Sequence, residues 1–152
     1  MPPSTEVHAR VAAWYERNAR DLPWRREPHV SDAYAVLVSE VMLQQTQVER
    51  VIPKFIEFLD AFPTLTSRAD AEPGAVIRMW AGMGYNGRAV RLHKLANEVM
   101  REMGGELPRS PDGLRLLPGI GPYTASAVAC FAFGAPVPVA DTNIYRVLSR
   151  LT

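Results

Sequence analysis

Two carboxylates and a pair of glycines are the residues of this chain best suited to chemistry. Glu40 sits inside Ala35-Val36-Leu37-Val38-Ser39-Glu40-Val41-Met42-Leu43, an almost unbroken apolar run. Burial there disfavours the ionised form and raises the pKa, which is what a proton donor near neutral pH needs. A solvent-facing residue and a buried ion-pair partner are the plainer readings, and Glu40 alone does not choose among the three. Asp141 follows Pro136-Val137-Pro138-Val139-Ala140 and precedes a helical pattern, where its ordinary task is that of an N-cap. Gly119 and Gly121, in Leu117-Pro118-Gly119-Ile120-Gly121-Pro122-Tyr123-Thr124-Ala125, make a tight turn that opens onto a helix N-terminus. The first N–H groups of such a helix lack intrahelical partners and lie at the positive end of its dipole, a main-chain surface for phosphate. No Lys-Ser/Thr follows the glycines, so a nucleotide P-loop fits poorly. An ordinary helix–turn–helix corner, with a Gly stop and a Pro start, is the alternative.

The elements that must position these residues read as all-helical. Thr5 can cap a first helix carrying Val7, Val11, Trp14 and Tyr15 at helical spacing. Residues 21–30 are irregular, broken by Pro23 and Pro28, and Ser31 or Asp32 caps a second helix through Leu37, Val38, Val41 and Met42. A third carries Val48, Val51, Ile52, Phe55, Ile56 and Leu59, with Pro53 either in its first turn or at a kink. Short helices are expected over 64–69 and 73–80, then a loop at Gly82 and Gly84. A long amphipathic helix follows from about Arg88 to Met103 and stops at Gly104-Gly105. Ser110-Pro111 starts a short helix before the glycine turn, and a helix over 123–133 follows it. Val137-Pro138-Val139 is too short for a strand and holds a proline. Residues 142–152 carry Ile144, Val147, Leu148 and Leu151 as an apolar stripe with no cap after it, which reads as a helix cut mid-pattern.

Size and composition fit one domain: 152 residues, 47% hydrophobic and 22% charged. No apolar run reaches bilayer length, since Gly134, Pro136 and Pro138 interrupt the most apolar stretch, so no membrane association is expected. The start shows no basic segment followed by an apolar core, so no secretory signal is expected. The single cysteine, Cys130, excludes an internal disulfide, reads as a buried thiol, and favours a reducing, cytoplasmic compartment. A net charge of +1 does not announce a nucleic-acid partner. Arg78, Arg88, Arg91, Lys94, Arg101, Arg109 and Arg115 lead up to the glycine turn, diluted by Glu98, Glu102, Glu106 and Asp112. On charge alone that stretch is a solvated helix face.

The residues change meaning together. Leu22-Pro23-Trp24-Arg25, Ser39-Glu40-Val41-Met42-Leu43-Gln44-Gln45-Thr46-Gln47-Val48, Gly82-Met83-Gly84-Tyr85, Leu117-Pro118-Gly119-Ile120-Gly121 and Asp141-Thr142-Asn143 resemble the helix–hairpin–helix DNA glycosylase superfamily. More narrowly they are similar to its adenine-removing, MutY-type branch. The resemblance covers nearly the whole chain, and the Glu-Val-Met-Leu-Gln-Gln-Thr segment is its most specific part.

It implies an all-α fold with a six-helix barrel core over residues 21–135, its hairpin at 117–121. Residues 1–20 would be the N-terminal helix of a second, cluster-side helical domain that is cut short. Residues 136–152 would be the catalytic-Asp loop and the start of an incomplete helix. The implied activity is monofunctional base excision, hydrolysing the N-glycosidic bond of adenine mispaired with 8-oxoguanine or guanine. Glu40 would protonate a ring nitrogen of the base, and Asp141, oriented by Asn143, would stabilise the oxocarbenium-like sugar. Bifunctional relatives carry a Schiff-base lysine at the position of Tyr123, which cannot form one. A base inside a duplex must be flipped out, and Gln45 and Tyr85 are the implied wedges, with Gln44 beside them. Trp24, Arg25 and Leu43 would border the base pocket, although core packing serves Trp24 equally well. Leu117, Gly119, Gly121 and Thr124 would hold DNA at the hairpin.

The partner implied is mismatch-containing double-stranded DNA, bound by a monomer in the cytoplasm at the bacterial nucleoid. The departures bear on substrate choice: Thr142 replaces a common Gly, Asn86 a common Tyr, and about three extra residues separate Arg25 from Glu40. Family members usually continue into helices whose four cysteines hold a 4Fe–4S cluster. With one cysteine this chain cannot ligate one, and no metal site is expected in it. A thymine or uracil mismatch glycosylase of the same superfamily, or a catalytically silent DNA-binding fragment, are the alternatives.

Overall fold

The computed structural model describes residues 4–151, which form nine α-helices and no strand. These are α1 (Ser4–Asn18), α2 (Ala33–Leu43), α3 (Val48–Ala61), α4 (Leu65–Asp70), α5 (Pro73–Met79), α6 (Gly87–Met103), α7 (Pro111–Arg115), α8 (Pro122–Phe133) and α9 (Thr142–Leu151). Pro23–Arg25 adds one turn of 3₁₀ helix. The all-helical expectation holds, and boundaries move by a residue or two. Ser4 is already helical, so Thr5 lies within α1 rather than capping it. Asp32 is the cap of α2, accepting the Tyr34 N–H at 2.9 Å, while the Ser31 hydroxyl donates to Glu27 instead. Pro53 sits past the first turn of α3, and the helix continues through it to Ala61. Thr152 lies outside the described residues.

α2 runs through the centre of the molecule. Every residue from Tyr34 to Met42 is buried, as expected of a helix that is apolar all round. It packs on α3, α6 and, most extensively, α8. The α8 face that meets it is built of Thr124, Ala125, Ala127, Val128 and Ala129, all buried. Such small side chains let two helix backbones approach closely. α4 and α5 lie on α6, and α7 packs against α8 as the first arm of the hairpin. Phe55, Phe58, Trp80, Leu92, Leu95 and Leu114 complete the core. α1 and α9 contribute nothing buried to it: Val11, Trp14 and Tyr15 are exposed, as are Ile144, Val147 and Leu151. Cys130, expected to be buried, is only half-buried.

Three turns decide where the chemistry sits. Gly104, with φ +64°, ends α6 in the left-handed conformation the sequence signalled. Gly119 also has positive φ, +80°, and a side chain there would lie 2.8 Å from Cδ of Arg91. The hairpin turn therefore rests on the stem of an α6 arginine. Gly121 is different: its φ is −86° and nothing lies within 4 Å of where a Cβ would stand. The protein's own packing does not require glycine at position 121.

Candidate active site

The C-terminal end of α2, the loops before α6 and α9, and the start of α8 surround one open cleft of about 1360 Å³. Trp24, Arg25, Glu40, Leu43, Gln44, Gln45, Tyr85, Tyr123, Asp141 and Asn143, ten residues singled out from the sequence, all line it. They come from five separate stretches of chain.

Glu40 is 9% exposed, at the cleft end of a helix otherwise packed in the core. Burial raises its pKa above the usual 4.5; a hydrogen bond from the Tyr123 hydroxyl and the positive charge of Arg25 oppose that rise. Tyr123 is pushed up to about 12, first by burial, then by the neighbouring Glu40, and last by Asp141. Its phenol stays protonated and serves as a donor to Glu40.

Asp141 has the opposite environment. Its carboxylate accepts the Ile144 N–H at 2.8 Å and the Asn143 Nδ2 at 3.0 Å. These bonds hold its pKa below the ordinary value of 3.8. The N-cap reading and the reading as a fixed anion describe the same geometry. Arg146 Nη2 donates to Asn143 Oδ1 at 3.1 Å, which orients the amide that holds Asp141.

Trp24 packs in the core and also reaches the cleft. It is 8% exposed, meets Phe55 edge-on with ring centroids 5.4 Å apart, and borders the cleft. Gln44 half-enters the protein, its Nε2 donating to Thr124 Oγ1 at 3.3 Å. That contact corrects one expectation, since the Thr124 side chain is 3% exposed and faces α2, not solvent. Leu117 needs a similar correction: at 2% exposure it anchors the hairpin in the core and offers no side chain at the surface. Gly119 and Gly121 are exposed on the turn, outside the cleft.

Arg88 and Arg91 were read as part of a solvated face; the structure overturns that for Arg88, while Arg91 is exposed as expected. Arg88 is 3% exposed, and Arg91 borders the cleft as well as supporting Gly119. A signal for Arg88 was available: with Leu92, Leu95 and Val99 it falls on the apolar stripe of α6. Arg20, Arg25, Arg88 and Arg91 together ring a cleft whose acids are Glu40 and Asp141.

The structure thus sets a helix–hairpin–helix beside a cleft with one desolvated and one hydrogen-bonded carboxylate. Residues 38–152 match the HhH-GPD superfamily base excision DNA repair protein family, and the chain belongs to that superfamily. It is 51% identical over 140 residues to an adenine DNA glycosylase of Mycolicibacterium smegmatis, covering 92% of this chain and 47% of that protein. The adenine DNA glycosylase of Homo sapiens is 45% identical over 153 residues, 97% of this chain and 28% of that one. The chain thus spans less than half the length of these relatives. Among solved structures, a thermostable thymine-DNA glycosylase is similar at TM-score 0.84 and 29% identity, covering 96% of this chain and 69% of that one.

A cluster held by four cysteines, as the family implies, does not fit the residues of this chain. Cys130 is the single cysteine, and among the described residues no three His, Cys, Asp or Glu side chains gather as a metal site. No helix among them is long and apolar enough to cross a membrane.

Proposed function

We propose that this chain carries the excision chemistry of a monofunctional adenine DNA glycosylase acting on adenine opposite 8-oxoguanine or guanine in duplex DNA. The observation that carries this reading is the contrast between two carboxylates on one cleft: Glu40 pushed toward its neutral form, Asp141 held as the anion. Pairs whose environments drive their pKa values apart divide into acid and stabiliser.

The flipped adenine enters between Trp24, Arg25 and Leu43. Glu40 gives its proton to a ring nitrogen, and the C1′–N9 electron pair leaves with the base as neutral adenine. The sugar becomes an oxocarbenium-like cation facing the Asp141 carboxylate. Water adds at C1′ and releases a proton, which regenerates the acid at Glu40. Tyr123 steadies Glu40 through its hydroxyl and has no amine with which to attack the sugar. Outside the cleft, the N–H groups at Gly119, Gly121 and the start of α8 hold backbone phosphate, positioning the duplex without reading it. The open space above Gly121 suits close approach of a group from outside the protein. On this reading the protein works as a monomer wherever the cell keeps its DNA, which for a bacterial owner is the cytoplasm.

A panel of duplexes containing A opposite 8-oxoguanine, A opposite G, T opposite G and U opposite G tests the assignment. Excision of adenine from the first two, with thymine and uracil left in place, is the expected result. Release of thymine or uracil instead would move the protein to the mismatch-pyrimidine branch. Binding with no release from any duplex would leave a silent DNA-binding unit.

A further inference from the structure

Arg88 joins two loops that the sequence keeps some forty residues apart. Its Nη1 donates to the carbonyls of Val41 at 3.1 Å, Met42 at 2.9 Å and Gln44 at 2.5 Å. Its Nη2 donates to Thr46 Oγ1 at 2.9 Å and to the carbonyls of Met83 at 3.0 Å and Gly84 at 3.1 Å. The charge is balanced by the carbonyl end of α2, where the last-turn oxygens lack intrahelical donors, instead of by a carboxylate. Trp80 and Tyr85 flank the guanidinium, their ring centroids 5.4 and 5.8 Å away.

Two of those acceptors have a special place. Gln45 and Tyr85 are the non-glycine residues of positive φ among the described residues, at 55° and 47°. The carbonyls immediately before them, those of Gln44 and Gly84, are both held by Arg88. One guanidinium therefore fixes the two peptide planes that lead into the two left-handed residues. Both residues are exposed at the cleft, Tyr85 by 68%. Left-handed backbone at such residues persists only where the surroundings hold it.

We propose that Arg88 is a positioning residue that sets Gln45 and Tyr85 as a matched pair of probes for entry into the DNA base stack, an inference that rests on the glycosylase reading above. A planar fork with five donors can bridge two loops in this way, whereas the single nitrogen of lysine cannot span both sets of carbonyls. Arg88 itself touches no base. Its effect on excision passes through the geometry of the residues it holds.

Arg88→Lys is the variant of choice, because it keeps the charge inside the protein; Arg88→Met is the second, removing charge and fork together. In the free protein, Arg88→Lys is expected to speed amide exchange at 44–46 and 83–86 by about tenfold or more, with α3 and α8 unchanged. In excision it is expected to cost about tenfold or more for adenine stacked opposite 8-oxoguanine, and far less for adenine in an unpaired bulge, which needs no wedge. In a Tyr85→Ala, Gln45→Ala background the same substitution should cost nothing further, since the residues it positions are gone.

Equal losses on stacked and bulged adenine, or losses that multiply with those of the wedge variants, would overturn the proposal. So would unchanged exchange in both loops for both variants. If the unaltered protein excises neither adenine, the glycosylase reading fails by itself, and the exchange experiment still decides whether Arg88 holds the loops together.

Discussion

Replacing Glu40 by Gln separates a catalytic acid from a structural carboxylate by two readouts that move in opposite directions. Gln keeps the shape of the side chain and can still accept the Tyr123 hydrogen bond, so packing on α2 is preserved. What it removes is ionisation in a site 9% exposed, where burial outweighs Tyr123 and Arg25 and raises the pKa above 4.5. A carboxyl whose folded pKa lies above its unfolded one binds its proton more tightly in the folded state. Its contribution to stability is full below the unfolded value and is lost as pH rises through the folded one. Wild type should therefore fall behind Glu40→Gln as pH climbs above about 4.5, by about 1.4 kcal/mol for each unit of elevation. At pH 8 the variant should be the more stable protein, and at pH 4 the gap should close. Denaturant unfolding at both pH values measures this. Adenine excision, measured on the protein expressed from its whole reading frame, should meanwhile fall by about 10²–10⁴-fold. A Glu40→Gln protein that is less stable at pH 8 would mean that Arg25 holds Glu40 ionised as a structural ion pair. Excision within about tenfold of wild type would remove Glu40 from the acid role.

Gly119→Ala should destabilise the fold by about 1–2 kcal/mol, because φ of +80° and the stem of Arg91 both oppose a Cβ. Gly121→Ala should leave stability within about 0.5 kcal/mol, yet weaken binding to every duplex alike with little change in salt slope. Thermal melts and titrations at two salt concentrations check the pair, and sequence-selective loss at Gly121 would contradict the hairpin's role as a general anchor. Borohydride added during turnover should trap no protein–DNA adduct, since Tyr123 offers no amine; a strong adduct surviving removal of surface lysines would refute the monofunctional assignment. In residues 1–152, amides of α9 should exchange much faster than those of α2, because α9 buries no side chain and α2 buries nine. Comparable protection in the two helices would show that α9 is held by something other than burial.

The periodic and punctuated parts of the fold were legible before the structure. Apolar spacing located the helices, Gly104 and Ser110-Pro111 marked ends, and the acid pair and hairpin stood out as motifs. What the sequence could not show was facing. Leu117 and Thr124 belong to the hairpin motif, yet their side chains turn into the core, one to hold the turn and the other to meet Gln44. Arg88 and Arg91 are three residues apart on one amphipathic helix, and charge alone made both solvent-exposed; Arg91 is, whereas Arg88 lies on the apolar stripe. Arg88 is buried because the carbonyl end of α2 reaches it, and Arg91 is a turn support because Gly119 has no side chain. The partners, the α2 carbonyls for Arg88 and Gly119 for Arg91, lie far away in sequence, and periodicity does not name them. The apolar faces of α1 and α9 showed plainly as stripes, but periodicity does not say whether anything covers a stripe.

The pH dependence of single-turnover adenine excision from an A opposite 8-oxoguanine duplex addresses the acid pair most directly. Glu40 must carry its proton and Asp141 must not. The rate should hold from just above the lowered pKa of Asp141 and fall as pH rises through the elevated pKa of Glu40. In Glu40→Gln that falling limb should be gone along with most of the rate. A rate that climbs with pH across the same range, or a falling limb that survives in Glu40→Gln, would contradict the account.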